Sequence, residues 1–212
     1  MNYTESLAYL DSLGKFGIKL GMERIEGLLR ELGNPEQKIK TVHVTGTNGK
    51  GSVTSMITNI LLAANLKVGK FTSPHLVKYN ERINLNGKDI SDEDFATAIT
   101  AVKVAADSVV KKGVCEQPTQ FEILTAAAFL YFYLQKVDYA VIEVGMGGLW
   151  DSTNVITPVV SVITNVALDH TDRCGKTLER IAMQKAGIIK EKVPLVTAAE
   201  GNEALGPIVS LA

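Results

Sequence analysis

The sequence is poor in the features that mark secreted, membrane-bound or nucleic-acid-coating proteins. Two cysteines, Cys115 and Cys174, are all that 212 residues carry. Neither has a neighbouring Cys at zinc-ligand spacing, which argues against both a disulfide framework and a structural zinc site. Long apolar runs are missing too: the most apolar stretch, Ile123–Leu134, has twelve residues, too few to span a bilayer. Met1–Gly14 mixes acidic, polar and apolar residues and lacks the apolar core of a secretory signal. These absences predict a cytoplasmic protein. There is no excess of charge of one sign either. Lys and Arg number 22 against 23 Asp and Glu, a formal net charge of −1, and no basic stripe interleaved with aromatics is present. Neither nucleic acid nor a membrane surface is therefore an expected partner, and any phosphate binding has to come from local geometry.

What is present is ample core material, 46% hydrophobic against 21% charged residues, with no repeats and no low-complexity segment. Helices are predicted near Thr4–Leu13 and Met22–Leu32, closed by Gly14 and Gly33. The β-branched run Thr41–Thr45 reads as a strand. A short strand follows near Lys67–Phe71. Arg82–Leu85 and Lys88–Ile90 flank Asn86-Gly87, the strongest two-residue signal for a type I′ hairpin. Ser91, with Asp94 three residues on, starts a helix running to about Lys111, and a second runs from about Gln120 to Gln135. Continuous apolar strands are expected at Tyr139–Val144 and Val159–Ile163 and another near Leu195–Thr197; a helix covers Leu178–Gly187 and a last one Glu203–Ala212. Such alternation predicts an α/β fold, a mostly parallel sheet with helices on both faces and a small antiparallel hairpin.

One segment carries specific chemistry. The strand Thr41–Thr45 runs into Gly46-Thr47-Asn48-Gly49-Lys50-Gly51-Ser52, and after it Val53, Met56, Ile57, Ile60, Leu61 and Ala64 recur at helical spacing as one apolar face. A loop between a buried strand and a helix N-terminus offers free backbone N–H groups to an anion. Glycines let that backbone approach phosphate oxygens, and a lysine neutralises charge. Thr47, Asn48, Gly49, Lys50, Gly51 and Ser52 are thus the candidate ATP-binding residues. The match to the usual phosphate loop is incomplete: Val44 stands where that pattern has its first glycine, and Gly51 where it has Ser or Thr.

The wording of this loop resembles that of the Mur ligase superfamily, and glycine directly after the lysine resembles its folylpolyglutamate and dihydrofolate synthase branch. Four further segments are similar to that branch and occur in its order. They are Thr72-Ser73-Pro74-His75-Leu76; Asn80-Glu81-Arg82-Ile83; Glu143–Gly148 leading to Asp151-Ser152-Thr153-Asn154; and Leu168-Asp169-His170-Thr171 followed by Lys185-Ala186-Gly187-Ile188-Ile189. The resemblance spans about Met22 to Val196. It implies a single nucleotide-binding domain over residues 1–212, truncated relative to a family that carries a further C-terminal domain. It also implies an ATP-dependent ligase that adds L-glutamate to the glutamyl tail of a folate through an acyl phosphate, with Mg²⁺ as cofactor and a monomeric state. Dihydrofolate synthase activity, another Mur-type amide ligase and a non-catalytic nucleotide-binding fragment are the alternatives.

By the same resemblance, Glu143 and His170 are metal ligands and Ser73 completes the site through its hydroxyl; phosphate-loop logic favours Ser52 for that role, and the sequence does not decide between them. Lys50, His170 and Lys185 are the expected catalytic set. Lys185 is implied to be carbamylated, which requires an unprotonated and hence partly buried amine. Thr119, Gln120, Phe121 and Glu122 resemble a folate-side segment, yet Thr119 and Glu122 also read as a helix capping box. Lys19–Met22 and Trp150, Asp151 and Ser152 are further folate-side candidates. Leu149-Trp150 replaces the family's usual Arg-Leu, so an anion contact is lost there, and Trp150 suits ring stacking and packing equally.

Overall fold

Strand β1 (Thr41–Thr45) is buried along its whole length. Four of its five residues are β-branched, which suits the centre of a sheet. It pairs in parallel with β5 (Tyr139–Glu143) on one side and β6 (Val160–Ile163) on the other. Strand β2 (Val68–Phe71) adds in parallel to β5, and β7 (Leu195–Thr197) to β6. The hairpin β3 (Ile83–Leu85) and β4 (Lys88–Asp89) extends the β2 edge in antiparallel fashion, giving seven strands in the order β4-β3-β2-β5-β1-β6-β7. Its turn residues Asn86 and Gly87 have φ of 51° and 80°, as the type I′ signal requires. The computed structural model describes residues 1–14, 17, 21–168 and 175–212.

Helix α3 (Lys50–Ala63) lies on one face, where Val53, Ile57 and Leu61 pack over Val42, Val44, Val68 and Val141. On the other face sits α5 (Gln120–Leu134), surrounded by α1 (Tyr3–Leu13), α2 (Glu23–Glu31) and α4 (Asp92–Lys111). Phe129 and Phe132 of α5 are fully buried, each stabilising the fold by about 1.5–3 kcal/mol. Helices α6 (Leu178–Ala186) and α7 (Asn202–Leu211) pack on each other beside β6 and β7. From β1 the chain crosses through α3 to β2 on one side, while β6 and β7 lie on the other. The crevice of the sheet therefore opens at the carboxyl end of β1.

The expected strands and helices are present with ends shifted by a residue or two, and the mostly parallel, two-faced sheet is as anticipated. The apolar face assigned to α3 needs correction. Met56 and Ile60 are 62% and 69% exposed and Ala64 is exposed, whereas Thr54 and Thr58 are buried. The helix is turned so that Gly51, Thr54 and Thr58, spaced i, i+3, i+7, face inward. The phosphate loop fixes that rotation: Gly51 must lie against the end of β5, and the residues stacked below it on the same helix face follow.

Candidate active site

The glycine-lysine loop is tied to the segment that follows β6. Gly46 has φ +155°, and a Cβ there would lie 1.7 Å from Thr164 Oγ1, so the first residue after β1 has no room for a side chain. The Thr47 amide donates to the Asn165 carbonyl (3.0 Å) and the Asn48 amide to Asn165 Oδ1 (2.9 Å). Thr164 Oγ1 and Asn165 Nδ2 donate in turn to the Asn48 carbonyl, and Thr47 Oγ1 bridges Ala167. Two of the amides proposed from sequence to meet phosphate are thus already spent on the loop that follows β6. The first-turn amides of α3, at Lys50, Gly51 and Ser52, have no intrahelical carbonyl to reach. Gly49 caps the helix at φ 77°. Lys50 arches back, its Nζ donating to the carbonyls of Gly46 (2.9 Å) and Thr47 (3.2 Å). This places a cation over the loop.

Glu143 is the last residue of β5 and points to the α3 side, because it pairs in register with Val44. A Cβ on Gly51 would lie 3.7 Å from both Glu143 carboxylate oxygens, so glycine after the lysine lets the helix start close against that carboxylate. Glu143 Oε2 accepts from the Ser73 amide at 3.2 Å; Ser73 stands just beyond β2, where the Ser73–Pro74 peptide is cis. Burial raises the Glu143 pKa, opposed by the Ser73 amide, Lys50 and Lys70, with Asp151 adding a smaller upward push. Lys50, Gly51, Ser73 and Glu143 therefore share one place.

After Glu143 comes a glycine turn whose inner carboxylate is Asp151. It accepts from the amides of Met146 (2.8 Å) and Thr153 (3.0 Å) and from the Thr153 hydroxyl, so this candidate folate ligand is buried as the brace of the turn. The turn also seats the end of α6. The Leu149 amide donates to the Gln184 carbonyl (2.8 Å), and Gly148 packs so closely that a Cβ would lie 2.7 Å from that oxygen and 3.1 Å from the Lys185 carbonyl. Lys185 is only 4% exposed. Trp150 is half exposed at the far end of the turn, and Ser152 begins the short 3-10 helix Ser152–Val155.

Residues 44–202 match the model of the Mur ligase middle domain. The chain belongs to that family. It is 47% identical over 206 residues to the dihydrofolate synthase/folylpolyglutamate synthase of Bacillus subtilis, an alignment that takes in 96% of this chain and 47% of the relative. The apo form of L. casei FPGS superposes with a TM-score of 0.94 at 44% identity, over 100% of this chain and 52% of that one. An FPGS–AMPPCP–folate complex does so with a TM-score of 0.92, also at 44% identity, over 100% and 52%. The chain spans about half the length of the relatives it matches.

In this Mur ligase domain the segment Thr119–Glu122 is a capping box in fact: the Thr119 side chain accepts from the Glu122 amide, and Glu122 Oε2 accepts from the Thr119 amide. Glu122 also receives Arg24 Nε at 3.0 and 3.2 Å, with both side chains buried. Gln120 Nε2 donates to the Leu10 carbonyl and to Tyr79 Oη, while Phe121 fills the space beside Gly145. The sequence showed the cap but had no signal for Arg24, 98 residues away. Removing one partner of such a buried pair is costly. Glu122→Ala is expected to destabilise the chain by about 3–5 kcal/mol, read as a lower urea midpoint at unchanged slope.

Thr164 and Asn165, which hold the phosphate loop, also escaped sequence reasoning, since a polar pair after a strand looks like any other loop. His170, Lys19 and the segment 169–174 lie outside the described residues. Among the described residues no group of three or more His, Cys, Asp or Glu is placed to hold a metal ion, and no helix is long and apolar enough to cross a membrane.

Proposed function

We propose that this chain is the nucleotide-binding part of a folylpolyglutamate synthase, which uses ATP to join L-glutamate to the glutamyl tail of a folate. The observation that carries the reading is the meeting of the loop amides, Lys50 and Glu143 across Gly51. The names of the matched relatives supply the substrate class.

Mg²⁺ fits this place on chemical grounds. It is usually held by one or two carboxylates together with phosphate oxygens and waters rather than by an all-protein cage. Glu143 is one such carboxylate, partly desolvated and set beside phosphate-binding amides. Ser73 or Ser52 and His170 are the further candidates. Bound there, the ion would neutralise charge on the phosphates. The protein's own part is positional. The α3 amides and Lys50 orient the triphosphate so that the folate's terminal carboxylate attacks the γ-phosphorus and ADP leaves. The glutamate amine then displaces phosphate from the acyl phosphate to give the amide. Lys185, buried and seated on the glycine turn, would bear the carbamate.

The test compares tetrahydrofolate, dihydropteroate and UDP-muramyl peptides as acceptors for labelled glutamate, in a protein that joins this chain to the second half of its L. casei relative. ATP-dependent labelling of the folate is the expected result. Labelling of the muramyl compound instead, or no Mg²⁺-dependent ATP binding by the 212-residue chain, would overturn the reading.

A further inference from the structure

The two faces of β1 differ. Val42 and Val44 face α3, whereas Thr41, His43 and Thr45 on the opposite face are all 0% exposed. Polar groups at the centre of a sheet are costly unless hydrogen-bonded. Here two of the three reach the glycine turn and the short helix behind it: Thr45 Oγ1 donates to the Gly147 carbonyl at 2.7 Å, and His43 Nε2 lies 2.9 Å from Thr153 Oγ1 in the 3-10 helix Ser152–Val155.

The direction of the second contact follows from counting protons. The Thr153 hydroxyl has one, which it donates to Asp151 Oδ1 at 2.6 Å. With Asp151 ionised and accepting from Thr153 and the amides around it, His43 donates through a proton on Nε2, and because Nδ1 faces no acceptor the ring is neutral. Burial, with a smaller push from Lys190, lowers its pKa to about 3, consistent with an uncharged ring. Nδ1 is left as a buried acceptor without a hydrogen-bond partner, which costs less than a stranded charge. Asp151, its second oxygen taken by the Met146 amide, completes a one-way relay from β1 to the turn.

We infer that His43 is a positioning residue: acting through Thr153 and Asp151, it sets the turn that carries Glu143 at one end and seats the Lys185 helix at the other. The strand that delivers the phosphate loop from its tip thereby also locks, from its back face, the turn behind Glu143. The consequence for Mg²⁺ and ATP rests on the function proposed above; the relay itself does not.

The experiment uses the 212-residue chain as wild type, His43→Gln and His43→Leu. Gln keeps an N–H donor at similar reach, and Leu keeps the volume without the donor. First, long-range ¹H–¹⁵N spectra of the wild type should show a neutral His43 ring protonated at Nε2; an Nδ1–H tautomer or an imidazolium overturns the relay. Second, amide exchange at Met146 should quicken in His43→Leu and stay at the wild-type rate in His43→Gln. Third, the ratio of ATP affinity with Mg²⁺ to that without it should fall roughly 10-fold in the Leu variant, the lower end of what disturbing a supporting partner of a metal ligand produces, and recover in the Gln variant. A lower melting temperature in His43→Leu with the Met146 exchange rate and the Mg²⁺ ratio unchanged would show a filler of the core and nothing more. If His43→Leu does not fold, the wild-type tautomer and the exchange rate in His43→Gln still decide. If the wild type binds ATP without regard to Mg²⁺, the nucleotide–metal reading fails, while the tautomer and exchange data still decide the relay.

Discussion

Lys50→Ala is expected to reduce ATP-dependent glutamate addition, in a protein containing this chain, by at least on the order of 10²–10³-fold, the loss that follows removal of one well-placed charge-stabilising donor. The side chain rises from the first turn of α3 over the loop carbonyls of Gly46 and Thr47, so a triphosphate on the α3 amides would lie directly beneath its ammonium. The fold should survive. Truncation removes two hydrogen bonds worth about 1 kcal/mol each, whereas the loop keeps its ties to Thr164 and Asn165. Lys50→Arg should recover little, because a planar fork does not replace a compact ammonium in a loop shaped around one. Steady-state ligation rates beside thermal unfolding curves separate the two effects. A folded Lys50→Ala protein with wild-type turnover would contradict the role.

Glu143→Gln should remove the Mg²⁺-dependent part of ATP affinity while making the chain more stable. If Glu143 binds the ion directly, as proposed, its loss should exceed the roughly 10–100-fold that disturbing a supporting partner produces. The stability gain follows from the sign of the pKa shift. Burial raises the Glu143 pKa above its ordinary 4.5, so folding favours the protonated form. That contribution is fully present below the ordinary value and is lost as pH rises through the folded one. At neutral pH the ionised carboxylate therefore opposes folding, and the neutral amide relieves it. Melting temperatures should be higher for Glu143→Gln at pH 7, by roughly 2–4 °C for each kcal/mol gained in a domain of this size. The difference should shrink as pH falls below the usual carboxylate range. A variant that loses stability at pH 7 and binds Mg·ATP as before would show an ordinary structural carboxylate.

These two side chains were legible in the sequence because local pattern fixes their surroundings. A β-branched strand running into a glycine-lysine loop and an amphipathic helix leaves little freedom for Lys50, and a carboxylate ending an apolar strand falls at the open end of a parallel sheet. The Asn86-Gly87 turn and the Ser91 and Thr119 caps were legible for the same reason, each being decided within four residues. What could not be read depended on residues far apart in the chain. The rotation of α3 is set by Gly51 meeting Glu143, 92 positions away, so helical spacing placed Met56 and Ile60 inside when they lie outside. The pairing of Arg24 with Glu122, the ties from Asn165 to Asn48 and the contact of His43 with Thr153 are of the same kind. Asp151, singled out as a folate candidate, is spent on bracing the turn, a role visible only once the turn closes around it.

The proposed function needs one nucleotide–metal centre, formed where α3 begins against the end of β5. A crystal structure of the chain with Mn²⁺ and a non-hydrolysable ATP analogue tests it most directly, because anomalous scattering locates the ion without reference to the fitted protein. The triphosphate is expected along the amides of Lys50, Gly51 and Ser52, and Mn²⁺ bonded to a Glu143 carboxylate oxygen. An ion bound away from Glu143, or phosphates seated elsewhere on the sheet, would contradict it.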